Sequence, residues 1–61
     1  MKAIIVDDEE LARKNLSMLL AEYCPTIEVI GDAGNVDDAK SLIESSSPDV
    51  VFLDIRMPSG S

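Results

Sequence analysis

The residues of this sequence best placed to do chemistry are three aspartates. Asp7 and Asp8 are adjacent near the start, and Asp54 lies near the end. Each stands where an apolar run stops. Ala3-Ile4-Ile5-Val6 runs into Asp7-Asp8, and Val50-Val51-Phe52-Leu53 runs into Asp54. In open parallel sheets ligands bind outside the carboxyl ends of the strands, at the point where strand order switches direction. If the two runs are neighbouring strands, the three carboxylates converge on such a crevice. Two of those charges about 4 Å apart repel by roughly 4 kcal/mol at an effective dielectric of about 20. A divalent cation offsets that repulsion, and three carboxylates with water suit Mg2+. The plainer reading is that Asp7 and Asp8 cap a helix and favour its dipole, while Asp54 opens a turn. That reading serves each residue singly. The joint pattern, every carboxylate ending a fully apolar strand, favours a functional acidic pocket.

Two kinds of phosphate chemistry fit such a pocket. A carboxylate beside Mg2+ can be the nucleophile that takes a phosphoryl group, the metal neutralising charge on the transferring phosphate. Alternatively, the metal activates water to hydrolyse a phosphate ester, which wants a general base and a second acid soon after the nucleophile. Asp54 is followed by Ile55, Arg56, Met57 and Pro58, with no acid among them. Phosphoryl acceptance is therefore the better fit. A Mg2+-dependent phosphatase is disfavoured, because Arg56 stands where the second acid would be wanted.

The elements that must hold these residues follow from the pattern. Ala3–Val6 reads as a strand buried on both faces. Asp8-Glu9-Glu10 puts acids at a helix start, and Ala12, Leu16, Leu19, Leu20 and Tyr23 form an apolar stripe that ends before Pro25. Tyr23 is expected to pack on the sheet. Ile27–Ile30, interrupted by Glu28, suits an edge strand, with Gly31 and Gly34 in the turn after it. Asn35 is an N-cap, with Asp38 three residues on as a weak capping box, and Asp37-Asp38 are first-turn acids. Ala39, Leu42, Ile43 and Ser46 make a second stripe, closed by Ser45-Ser46-Ser47-Pro48. Val50–Leu53 is a further strand apolar on both faces. The order strand-helix-strand-helix-strand implies a parallel sheet with right-handed crossovers and one helix on each face.

Composition narrows the function classes. With 12 acidic against 5 basic residues the net charge is -7, which repels nucleic-acid phosphates and anionic membranes alike. No apolar run approaches the roughly 20 residues of a membrane span, and the start lacks a signal peptide's apolar region. One cysteine and no histidine exclude an intramolecular disulfide and a sulfur-imidazole zinc site. A cytoplasmic location is expected. Cys24 has no histidine to activate it and reads as a passive thiol. Gly31 and Gly34 match no phosphate-loop fingerprint, and Met18 and Met57 read as gap fillers.

Ile4-Ile5-Val6-Asp7-Asp8-Glu9, together with Val50-Val51-Phe52-Leu53-Asp54-Ile55-Arg56-Met57-Pro58, resembles the receiver domain of bacterial two-component response regulators. The likeness covers the whole chain. It implies that Asp54 is phosphorylated by a sensor histidine kinase. It implies further that Asp8 and Asp54 bind Mg2+ directly, that Asp7 acts mainly through bound water, and that the backbone carbonyl of Arg56 is another metal ligand. The stretch Asp7-Asp8-Glu9-Glu10-Leu11-Ala12-Arg13 also resembles receivers followed by a LytTR-type DNA-binding domain, which would make the parent a transcription regulator. The fold implied is α/β, the first half (βαβαβ) of a flavodoxin-like doubly wound parallel sheet with strand order 2-1-3.

Receivers are similar to one another in a five-stranded sheet of about twice this length. Their fourth and fifth strands carry a serine or threonine and a lysine that contact the phosphoryl group. Residues 1–61 therefore read as a single partial domain, with phosphorylation of this piece expected to be impaired. One helix cannot shield a face of three strands, so either the C-terminal half is missing or a partner covers it. The alternative function is a self-assembling half-domain, a structural homodimer with a vestigial site.

Overall fold

The computed structural model describes residues 1–54. The apolar run at the start becomes β1 (Lys2–Asp7), whose Ala3, Ile4, Ile5 and Val6 are all buried. A strand buried on both faces must lie in the middle of its sheet. Here β1 is flanked by β2 (Glu28–Ala33) and β3 (Val50–Asp54), both parallel to it, in the order β2-β1-β3. Between them run α1 (Glu10–Tyr23) and α2 (Val36–Ser46). This is the order expected of the first half of a flavodoxin-like sheet. Burying each of Ile4, Ile5 and Val6 is worth about 1.5–3 kcal/mol, so β1 is the centre of the core.

The two helices lie on opposite faces. Ile4 and Val6 cluster with Ala33 and with Ala39 of α2, and Ile30 and Leu42 pack against that cluster. Alternation sends Ala3 and Ile5 to the other face. There Asp32, the register partner of Ile5, is bound by Arg13 of α1. Among the described residues, neither helix packs on β3. Its Val51 and Leu53 share a face with Ile4 and Val6, yet are 40% and 67% exposed.

Three local expectations are corrected. Gly31 belongs to β2 and not to the turn after it. The register with β1 shifts between Ala3 and Ile4, whose partners are Val29 and Gly31, so Ile30 is the extra residue of a bulge. A Cβ on Gly31 would stand 3.0 Å from a Leu42 methyl, so the glycine lets α2 come close to the sheet. Tyr23 does not pack on the sheet. It is 71% exposed at the last position of α1, and Leu19 beside it is exposed too. The seam of α1 that meets β1 and β2 is Leu20, buried, with Ala12 and Leu16 half-buried. That stripe is narrower than the sequence suggests, because a helix on two strands presents fewer positions to them.

The start of α2 matches its reading. The Asn35 side-chain carbonyl accepts from the Asp38 amide at 2.8 Å, and its amide nitrogen donates to the Asp38 carboxylate at 3.1 Å. The helix ends at Ser47, in the left-handed region at φ 49°.

Candidate functional site

The site is built from the carboxyl ends of β1 and β3, and their register is set at the opposite end of the pair. The Lys2 amide donates to the Asp49 carboxylate at 2.8 Å, and the Asp49 amide donates to the Lys2 carbonyl, also at 2.8 Å. These two bonds fix where β3 starts against β1. The ladder then runs Ala3–Val50, Ile4–Val51, Ile5–Phe52 and Val6–Leu53, and ends with Asp7 directly opposite Asp54. Two aspartates are thus register partners on adjacent parallel strands, and Asp8 leaves the sheet immediately after one of them. The condition that the sequence set for convergence, β1 and β3 as neighbours, is met.

The side chains sit as follows. Asp7 is half-buried and its Oδ1 accepts from the Glu9 amide at 2.9 Å, tightening the turn from β1 into α1. Asp8 and Asp54 are exposed. Glu9, the N-cap of α1, supplies no side-chain cap to the helix, so capping does not absorb this acidic turn as it absorbs Asp38 in α2. Among the described residues, no three acids stand together closely enough to hold a metal ion. The donor chemistry nonetheless fits a hard divalent cation, since three oxygen-only side chains share one sheet end. What β1 and β3 provide is placement; they do not preassemble a cage. The expected ligand at the Arg56 carbonyl lies outside the described residues.

One cation does stand at this end. Arg13, one turn into α1, donates from Nε to Asp32 Oδ2 at 2.6 Å and from Nη1 to the Asp7 carbonyl oxygen at 2.6 Å. Its partners lie on two strands, so the guanidinium ties α1 to the ends of β1 and β2. Gly34 makes room for it, since a Cβ there would meet Nη1 at 3.1 Å. Sequence reasoning gave Arg13 and Asp32 no role. A base one turn after an acidic helix start was the visible signal, but its partner is 19 residues away.

The fold, the paired strand-end aspartates and the acidic turn define a receiver, and the chain belongs to the response regulator receiver domain family, whose profile matches residues 3–61. It is similar to an uncharacterized response regulatory protein of Vibrio cholerae, 52% identical over 92% of this chain and 22% of that protein. It is 45% identical to the transcriptional regulatory protein BtsR of Escherichia coli, over 95% of the chain and 24% of BtsR. It is 47% identical to the sensory transduction protein LytT of Bacillus cereus, over 93% of the chain and 23% of LytT. The chain thus spans less than a quarter of the length of these relatives. Among the described residues no helix is long and apolar enough to cross a membrane.

Proposed function

We propose that this chain is the phosphoacceptor portion of a two-component signalling protein. Asp54 takes a phosphoryl group from the phosphohistidine of a sensor kinase, and Mg2+ is held by Asp7, Asp8, Asp54 and the Arg56 carbonyl. The observation that carries the reading is the register of Asp7 against Asp54 at the carboxyl ends of adjacent parallel strands. When bound, the metal supplies positive charge against the transferring phosphate. The chain's own residues supply the nucleophilic carboxylate of Asp54 and hard donors beside it. The chain is a phosphate acceptor rather than an enzyme with a turnover of its own. The name of BtsR, a transcriptional regulatory protein, and that of LytT, a sensory transduction protein, support a signalling transcription regulator as the intact protein, with DNA bound outside these acidic residues.

The test is phosphorylation of the intact protein by a small acyl phosphate in the presence of Mg2+. Asp54→Asn should abolish the acid-labile, hydroxylamine-sensitive labelling of an acyl phosphate, because an amide cannot form that bond. Undiminished labelling of that variant would remove Asp54 from its role.

A second reading is favoured by β3 alone. Among the described residues it is an edge strand with Val51 and Leu53 uncovered, so residues 1–61 by themselves form a homodimer through that face. Light scattering across a concentration series should then give twice the chain mass. A folded monomer at every concentration would exclude the dimer.

A further inference from the structure

We propose that Arg13 is a positioning residue for the acidic pocket, acting on Asp8 through the peptide that joins it to Asp7. The inference rests on the reading of Asp7, Asp8 and Asp54 as a Mg2+ site. Its basis is the particular atom that Arg13 holds. Nη1 donates to the Asp7 carbonyl oxygen, not to the Asp7 carboxylate, at 2.6 Å. That oxygen lies in the same peptide plane as the amide nitrogen and Cα of Asp8. Fixing the carbonyl therefore fixes the nitrogen and Cα from which the Asp8 side chain departs, leaving its direction to rotation about one backbone bond, which the Asp7 carboxylate on the Glu9 amide restricts in turn.

The clamp is anchored independently of the pocket. Nε donates to Asp32 Oδ2 at 2.6 Å, at the end of β2, and the Arg13 side chain is only 17% exposed. The guanidinium is a planar fork with donors at fixed separation, so it holds the Asp7 carbonyl at a set distance from the Asp32 carboxylate. Both bonds are charge-assisted and short, the stronger class of hydrogen bond. Gly34 completes the arrangement, because any side chain there would press on Nη1 at 3.1 Å and reach the Asp7 carbonyl at 3.9 Å. On the other side of the same turn, the Asp7 carboxylate takes the Glu9 amide. The Asp7-Asp8-Glu9 backbone is thus held by Arg13 from one side and by Asp7 itself from the other.

The sign of the effect separates positioning from simple charge. Arg13 is a positive group beside a cation site, so its Coulomb field alone opposes Mg2+, and neutralising it would tighten binding. Positioning predicts the reverse. Partners that orient metal ligands are worth roughly 10–100-fold in affinity, and a partner acting through the backbone belongs at the lower end of that range.

The test is calorimetric titration of the intact protein with Mg2+, alongside its melting temperature without metal. Arg13→Gln should weaken Mg2+ binding by about tenfold. Arg13→Lys should recover only part of the loss, because an ammonium cannot reproduce the planar fork. Gly34→Val displaces Nη1 without changing any charge and should weaken binding in the same direction, which covers the case in which Arg13→Gln fails to fold. The amide resonances of Asp8 and Glu9 should move in each variant before metal is added. A lower melting temperature with unchanged or tighter Mg2+ binding would make Arg13 a structural tie only and overturn the proposal. Failure of the wild-type protein to bind Mg2+ would instead bring down the metal site itself, and this inference with it.

Discussion

The starts of the two helices are both acidic, and they use their acids differently. At α2, Asn35 caps the Asp38 amide while the Asp38 carboxylate takes the Asn35 side-chain amide, so the polar groups there satisfy one another. At α1 the cap residue is Glu9, with no side-chain cap, and Asp7 bonds the Glu9 amide rather than an amide inside the helix. Asp8 is exposed between them. Good capping is worth about 1 kcal/mol, and α1 forgoes it although acids stand at the right positions. The difference teaches how to separate an acid that caps a helix from one left available for the proposed site. The first is consumed by its own helix, whereas the second is placed by a neighbouring strand and left accessible.

That contrast can be broken by exchanging roles, beginning with the larger effect. If Asp8 is the proposed ligand, Asp8→Asn should reduce Mg2+ affinity of the intact protein by more than about tenfold. Metal-free stability should change by no more than about 0.5 kcal/mol, because the lost helix-dipole contribution is offset by relief of repulsion with Asp7 and Asp54. Titration calorimetry and urea unfolding measure the two quantities. A large loss of stability with intact metal binding would place Asp8 among the structural acids. Asn35→Ala sharpens the other side. It should cost about 1 kcal/mol of unfolding free energy and leave Mg2+ affinity untouched, since α2's cap faces its own helix. A change in metal binding would show that the two termini are coupled.

A second contrast lies within the sheet. β1 has a strand on each side and a helix over each face, and its four central residues are fully buried. β3 has almost the same apolar composition, but among the described residues it has only one neighbouring strand and no helix over it, so Leu53 stays two-thirds exposed. Equal sequence character gives unequal burial because burial depends on what packs above a strand, which the strand itself does not encode.

Much of this was legible in the sequence. The apolar runs ending at Asp7 and Asp54 located β1 and β3, Asn35 located the start of α2, and Glu28 marked β2 as an edge strand. These features depend on contacts between near neighbours in the chain, where residue type dictates the outcome. Gly31 was misplaced because a bulge inserts Ile30 into β2, and a bulge is a property of two strands together. Tyr23 was misplaced because helical period identifies a stripe but not how wide a surface awaits it. Arg56, with its proposed carbonyl ligand, lies outside the described residues.

By itself, then, the sequence determined which residues could do the chemistry: three hard carboxylates at strand ends, in a chain with no histidine and a single thiol. Only the tertiary structure decided that Asp7 and Asp54 face one another, because that register is set by the Lys2–Asp49 bonds at the far end of the strand pair. It also decided that Arg13 grips the peptide before Asp8, through a contact to Asp32 on another strand. Residue type fixes what a side chain can bind. Which groups meet is decided by contacts distant in sequence, and those exist only once the sheet has formed.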